Sequence, residues 1–146
     1  MTDEPMTGQL LTRSFFETLH PLLRRLNAKR TLSPGKLGVL RHLAEQGRAT
    51  TSELATVVQV SPQAISLAAR ELEHLRFVVR VPDAEDRRRI WIELTGEGRQ
   101  KLAQELAAGH GWLDRAIMER LTPEERKTLE AVIPILRKLG SEASVD

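Results

Sequence analysis

Apolar residues recur along this chain at helical spacing, interrupted once by a short stretch that alternates like a strand. From 7 to 28, Leu11, Phe15, Leu19, Leu22, Leu23 and Leu26 fall on one helix face, and Phe16 widens the stripe. Pro21 lies inside that stretch and predicts a kink near 17–21. Ser33-Pro34 opens a second helix, with Ser as N-cap and Pro at the first helical position. Leu37, Leu40 and Leu43 form its buried stripe and Gly47 ends it. Thr50-Thr51-Ser52-Glu53 fits a capping box, and the short helix behind it buries Leu54, Ala55 and Val58. Gln59-Val60 makes a turn, and Ser61-Pro62 opens the next helix, which runs to Leu75. Two short helices joined in this way form a helix-turn-helix.

The period then changes. Phe77-Val78-Val79-Arg80 reads as a strand, Asp83-Ala84-Glu85-Asp86-Arg87-Arg88-Arg89 as an arginine-tipped turn, and Ile90-Trp91-Ile92-Glu93-Leu94 as the returning strand. Thr95 caps a long helix carrying Leu102, Leu106, Leu113, Ile117 and Leu121. Gly109 and Gly111 interrupt it at about 1 kcal/mol each relative to Ala, which predicts a bend or the close approach of another backbone. Thr122-Pro123-Glu124-Glu125 is a second capping box. The last helix carries Leu129, Val132, Ile133, Leu136 and Leu139, ends at Gly140, and holds Pro134 as a second expected kink.

These elements predict a mainly α fold with a small β-hairpin wing: a winged helix-turn-helix over 31–98, flanked by helices over 7–30 and 99–140, in one domain spanning 1–146. A helix can fill the DNA major groove while a basic hairpin beside it reaches the neighbouring minor groove. The flanking helices carry more apolar surface than the winged part can cover, so they are expected to interlock in a two-fold homodimer. A single monomeric helical core is the alternative.

Composition narrows the function classes. With 146 residues, 40% hydrophobic and 29% charged, the chain has an ordinary globular balance. The absence of cysteine removes disulfides, thiolate metal sites and thiol redox sensing. Aromatic residues are only 3%, with no tyrosine, which argues against single-stranded nucleic acid read by base stacking. No apolar run approaches the roughly 20 residues of a membrane span, and the N-terminus lacks a signal-peptide pattern, so no membrane partner and a cytoplasmic location are expected. A net charge of +2 makes the placement of charge the relevant quantity. Arg13, Arg24, Arg25, Lys29, Arg30, Lys36 and Arg41 face one acid, Glu17, in that stretch, and Arg87-Arg88-Arg89 is a second concentration.

Leu37-Gly38-Val39-Leu40-Arg41-His42-Leu43-Ala44, Ser52-Glu53-Leu54-Ala55, Val60-Ser61-Pro62, Leu72-Glu73, Asp83-Ala84-Glu85-Asp86-Arg87-Arg88 and Leu94-Thr95-Gly96-Glu97-Gly98-Arg99 follow one another in an order and spacing that resemble the MarR family of transcriptional regulators. The resemblance covers about 32 to 99. It implies a dimer that binds a pseudo-palindromic operator in double-stranded DNA, commonly as a repressor, with small and frequently aromatic ligands modulating the binding. It also implies that Asp86 and Arg88 pair to hold the wing tip. Three departures stand out: Leu67 where many members have a basic residue, Arg70 and Glu71 with charges opposite to the usual, and Arg76 in place of the glycine that follows the recognition helix.

Within the recognition helix, Ile65, Ala69, Leu72 and Leu75 are spaced to bury on one side, leaving Gln63, Ala64, Ser66, Leu67 and Arg70 outward. Gln63 can pair with adenine, Arg70 can reach guanine or phosphate, and Ala64 or Leu67 can touch a thymine methyl. Ser61 and the opening amides suit a phosphate. Asp86, Arg87, Arg88, Arg89 and Lys36 complete the expected DNA surface, with Arg87 or Arg89 entering the minor groove. Three successive arginines repel one another without an anion, which favours that reading over a solvated hairpin.

An effector pocket for a small aromatic acid is expected from Phe15, Phe16, Leu19, His20, Arg24, His42, His110 and Trp112, apolar walls with a few polar groups. Four histidines without a His-x3-His pair or cysteine do not complete a tetrahedral metal set, so neither metal nor cofactor is expected. No phosphate loop, nucleophile motif or carboxylate constellation points to an enzyme. A zinc-type regulator of the same fold and a non-sensing architectural DNA-binding protein are the alternatives.

Overall fold

Helix starts in this protein are set by side chains that satisfy the first free amides. In the computed structural model, which describes residues 4–141, the order is α1 (Gly8–Ala28), α2 (Pro34–Gln46), α3 (Thr51–Val58), α4 (Pro62–His74), β1 (Val78–Pro82), β2 (Ile90–Leu94), α5 (Gly96–Arg120) and α6 (Pro123–Gly140). Ser33 and Ser61 accept hydrogen bonds from the Lys36 and Ala64 amides at 3.3 and 3.1 Å, each followed by a proline that has no amide to satisfy. Thr50–Glu53 and Thr122–Glu125 both close full capping boxes. Thr95 caps α5 by accepting from the Gly98 amide at 2.9 Å. The helices α1 and α6 run unbroken through Pro21 and Pro134, so each proline removes a hydrogen bond without ending its element. Among the described residues, no helix is long and apolar enough to cross a membrane.

The contacts divide the chain into two compact units, one ending at Gly109 and one starting at His110. In the first unit, Leu37, Leu40 and Leu43 of α2, Leu54 of α3, Ile65, Ala69 and Leu72 of α4, Val78 of β1, Ile92 of β2 and Leu102 of α5 pack into one core. Burying each large aliphatic side chain there contributes about 1.5–3 kcal/mol. Val58 packs against this core only in part. The strands pair antiparallel, with Val78 opposite Leu94 and Val81 opposite Trp91. Ala49, between α2 and α3, exchanges both backbone hydrogen bonds with Ile92 (3.1 and 2.7 Å) and ties the wing to the helix-turn-helix.

One recognition-helix residue departs from its expected burial. Leu75 is 46% exposed, because α4 ends at His74 and the chain turns away before the apolar stripe comes round again. The turn is a Schellman motif: the Phe77 amide donates to the Leu72 carbonyl (2.9 Å) and the Arg76 amide to the Glu73 carbonyl (2.9 Å). Arg76 sits at φ 67°, so the place that usually needs glycine is filled by a residue with a Cβ. The Arg76 carbonyl accepts from the Thr95 hydroxyl at 2.7 Å, which joins this corner to the start of α5.

The buried face of α5 consists of Gly98, Leu102, Glu105 and Gly109. Gly98 is required by close approach: a Cβ there would run into the Phe77 carbonyl oxygen. At Gly109 the neighbour is a side chain and not a backbone, since the Arg30 guanidinium lies 2.9–3.2 Å from where a Cβ would stand. Gly111 has no such neighbour. Glu105, only 3% exposed, accepts from the Thr31 amide (3.1 and 2.9 Å), the Thr31 hydroxyl and the Leu32 amide (3.4 Å), and pairs with Lys101 at 3.1 Å. Burial pushes its carboxyl up, but the Thr31 and Lys101 donors and the Leu32 amide outweigh that and hold it below its ordinary value.

Three stability predictions result. Replacing Arg76→Gly relieves the left-handed strain and raises the free energy of unfolding by about 1 kcal/mol, read as a higher urea midpoint at unchanged slope; an equal or lower midpoint would show that the arginine is not strained. Glu105→Leu costs about 3 kcal/mol by stranding Thr31 and Leu32 donors. Because the folded carboxyl lies below its unfolded value, its contribution is complete above the ordinary carboxylate range and is lost as pH falls through the folded value. Glu105→Gln therefore flattens the acid limb of a pH–melting-temperature profile, and an unaltered limb would contradict the assignment.

Candidate nucleic-acid interface

The recognition surface is built on α4. Ile65, Ala69 and Leu72 point into the core, and the 3.6-residue period turns Gln63, Ala64, Leu67 and Arg70 to solvent, with Ser66 half-buried between them. Leu67 is 57% exposed, an apolar tip that the described residues leave largely uncovered. Gln63, Ser66, Leu67 and Arg70 line a groove of about 420 Å³ along the helix. Ser66 and Arg70 also line a larger cleft of about 610 Å³ that runs between α4 and the wing. Its other walls include Thr50, Thr51, Ser52, Arg80, Asp86, Arg88 and Arg89. Arg80 is paired with Glu73, and the remaining Arg70, Arg88 and Arg89 against Glu53 and Asp86 still leave the cleft a positive balance, while Glu53 is already engaged in its capping box.

Two expected contributors are partly committed elsewhere. Lys36 is ion-paired with Glu71 of α4, so its ammonium already has a carboxylate partner within the protomer. Ser61 accepts from the Ala64 amide, so only its hydroxyl hydrogen remains to donate outward. Pro62 has no N–H and the Ile65 amide donates to Ser61, which leaves the Gln63 amide as the free donor of that first turn.

The wing tip is held differently from the expectation. No ion pair joins Asp86 to Arg88 among the described residues; the Asp86 carboxylate instead accepts from the Arg88 backbone amide at 3.0 Å. The organising residue is Asp83, which sequence reasoning placed in the turn without a role. One of its oxygens accepts from the Glu85 and Asp86 amides (2.8 and 3.0 Å), and the other accepts from the Trp91 indole N–H at 2.8 Å. Its backbone N–H donates to the Arg89 carbonyl (2.9 Å) and closes the loop. Hydrogen bonds from Asp86, Glu85 and Trp91, with the nearby Arg89 charge, lower the Asp83 pKa to about 2. The sequence signal was available: an aspartate followed two and three residues later by free amides is an Asx-turn. Arg87, Arg88 and Arg89 are exposed around this frame. Arg80 pairs with Glu73 at 3.0 Å, bridging β1 to α4.

The residues expected to form an effector pocket are only partly gathered. Phe16 and His20 stack on α1 with centroids 5.8 Å apart. Phe15 and Phe16 are 42% and 67% exposed, so their rings lie on an open helix face. Leu19 is half-buried and Arg24 exposed on the same helix, and His42 is half-buried on α2. His110 and Trp112 belong to the second unit. Among the described residues, no group of three or more His, Asp or Glu converges to hold a metal ion.

Comparison with known proteins places this geometry. The family model described as MarR family matches residues 31–89. The HTH-type transcriptional repressor MdtR of Bacillus subtilis is 33% identical over 138 residues, covering 94% of this chain and 86% of that protein. A putative transcriptional regulator from Pseudomonas aeruginosa superimposes with a TM-score of 0.81 at 30% identity, over 95% of this chain and all of the other. Sco3205, a MarR family regulator from Streptomyces coelicolor solved in complex with DNA, superimposes with a TM-score of 0.66 at 28% identity, over 99% and 97% of the two chains.

The Asp83 frame makes a spectroscopic prediction. Amide proton shifts of Glu85 and Asp86 follow the Asp83 carboxylate, so they hold steady through the ordinary aspartate range and titrate with a midpoint near 2. The titration disappears in Asp83→Asn. A midpoint near 3.8 would mean that the carboxylate does not hold the turn.

Proposed function

The chain belongs to the MarR family, and from that premise we propose that it is a sequence-specific regulator of transcription that binds double-stranded DNA as a homodimer and acts as a repressor. The observation that carries this reading is the cationic cleft between α4 and the wing, in which Ser66 and Arg70 face Arg88 and Arg89 across about 610 Å³ of open space. A groove-reading helix needs an exposed edge with short polar, amide and apolar side chains, and Gln63, Ser66, Leu67 and Arg70 supply them. Arg87 and Arg88, with no ion pair among the described residues, are free to neutralise phosphates or enter the minor groove.

The dimer rests on surface that the protomer leaves uncovered. Neither α1 nor α6 has a buried residue. Leu10, Leu11, Phe15, Phe16, Leu22 and Leu23 on α1 are exposed, as are Leu129, Ile133, Ile135, Leu136 and Leu139 on α6. Stripes of that size on both terminal helices support the assignment of 7–30 and 99–140 to dimerisation and 31–98 to DNA reading. A small aromatic acid is the effector class that suits α1, where the stacked Phe16 and His20 rings lie one turn from Arg24.

Selection of genomic fragments by the purified protein tests the reading. Enriched duplexes should carry two inverted half-sites about 10 base pairs apart. Arg70→Ala should shift the selected sequence, whereas Arg87→Ala should weaken binding evenly and lower the salt slope by about one unit. Recovery of fragments without a common sequence would overturn sequence-specific regulation, and a lone half-site would overturn the two-fold arrangement.

A further inference from the structure

Beside the wing, two arginines far apart in sequence meet on one aromatic ring. Arg48, in the connection between α2 and α3, places its guanidinium 4.3 Å from the centroid of the Trp91 ring. Arg89, at the end of the turn, lies 5.5 Å from the same ring. Neither makes an ion pair among the described residues. The carboxylate near Arg89 is Asp83, and both its oxygens already accept from the Glu85 and Asp86 amides and the Trp91 indole.

The backbone explains why the three residues converge. Ile92 faces the core, so strand alternation turns Trp91 to the opposite side of the wing. Ala49 is hydrogen-bonded to Ile92 on both sides, which brings the adjacent Arg48 beside Trp91. The indole N–H is tied to Asp83, so the ring cannot rotate away. Two guanidinium groups at 4.3 and 5.5 Å from one ring centroid concentrate positive charge around it, and the ring's π-system only partly offsets their mutual repulsion. An arrangement of this kind is relieved when an anion arrives, and its geometry is already fixed when it does.

We propose that Trp91 is a positioning residue that holds Arg48 and Arg89 as a paired seat for backbone phosphates of duplex DNA, so that Arg48 is a DNA contact outside both the recognition helix and the wing tip. The proposal rests on the DNA-binding reading above and deepens it. The contact is to phosphate, not to bases, so it adds affinity and salt dependence without sequence preference. It also extends the footprint from the wing toward the α2–α3 connection.

The test uses the full-length protein and a mixed-sequence duplex of about 30 base pairs, with binding followed by anisotropy across a salt series. Arg48→Ala and Arg89→Ala should each reduce the slope of log Kobs against log salt by about 0.9 and weaken binding by about tenfold. Trp91→Leu keeps both charges but should lower affinity and slope together, and Trp91→Phe, which retains a ring, should recover part of both. In a Trp112→Phe background the remaining Trp91 emission should change when the duplex is added. Arg48→Ala is the decisive variant, because Arg48 is exposed and its loss leaves the core intact whatever happens to the Trp91 variants. A wild-type slope in Arg48→Ala, with wild-type protein binding the duplex, overturns the paired seat and leaves the DNA-binding reading standing. Absence of duplex binding by the wild type overturns both.

Discussion

The first half of α5 meets the winged unit along a face that fully buries one aliphatic side chain, Leu102, with Leu106 packed against the core in part. Gly98, Leu102, Glu105 and Gly109 recur at spacings of four, three and four, the period of a buried stripe. Hydrophobic burial at Leu102, with the partial burial of Leu106, contributes only a few kcal/mol. The constraint on this face is instead the Glu105 carboxylate, which must leave water and is accepted only because Thr31, Leu32 and Lys101 satisfy it. A buried carboxylate with four donors tolerates little displacement, so it fixes the end of the α1–α2 connection two residues before the Ser33 cap. The start of α2, and with it the leucines that seed the core, follows from that anchor.

The same logic governs the wing. A two-stranded hairpin is marginal in water by itself, and this one is held at three places by polar contacts. Ala49 adds a third backbone partner beneath Ile92. Thr95 joins the Arg76 carbonyl to the base of β2. Asp83 gathers the turn and pins the indole of Trp91. The Ala49 and Thr95 contacts reach across elements, and Asp83 joins the turn to β2 through Trp91. The wing is therefore rigid where its arginines leave it, which reduces the ordering cost of binding an anion.

These facts explain what could be read from the amino-acid order. Helix starts were legible because a cap and its target amide are three residues apart: Ser33, Thr50, Ser61, Thr95 and Thr122 all behave as their local sequence requires. The outward face of α4 was legible for the same reason, as the period of one helix settles which residues share a side. Glu105 was not, because a glutamate inside a helix reads as solvated until Thr31, 74 residues away, is placed against it. Nor was the ring contact of Arg48, which depends on the Ala49–Ile92 bridge. Lys36 read as a free cation and proved to be paired, because Glu71 lies on a different helix. Periodicity finds faces; it does not find the partners that a face will meet.

The α4–β1 corner shows how these contacts set the wing against the recognition helix. Arg76 holds a left-handed conformation that costs about 1 kcal/mol or more for a residue with a Cβ. The strain persists because the Schellman bonds to Leu72 and Glu73, the Thr95 hydroxyl and the close passage of the Phe77 carbonyl over Gly98 all specify the same geometry. Arg80 and Glu73 then bridge the strand to the helix a second time. Recognition helix, wing base and the first turn of α5 are thus locked into one body. Swinging the wing away from α4 would break the Schellman bonds, the Thr95–Arg76 hydrogen bond and the Arg80–Glu73 pair together, so the arginines of the wing keep a fixed distance from the exposed face of α4.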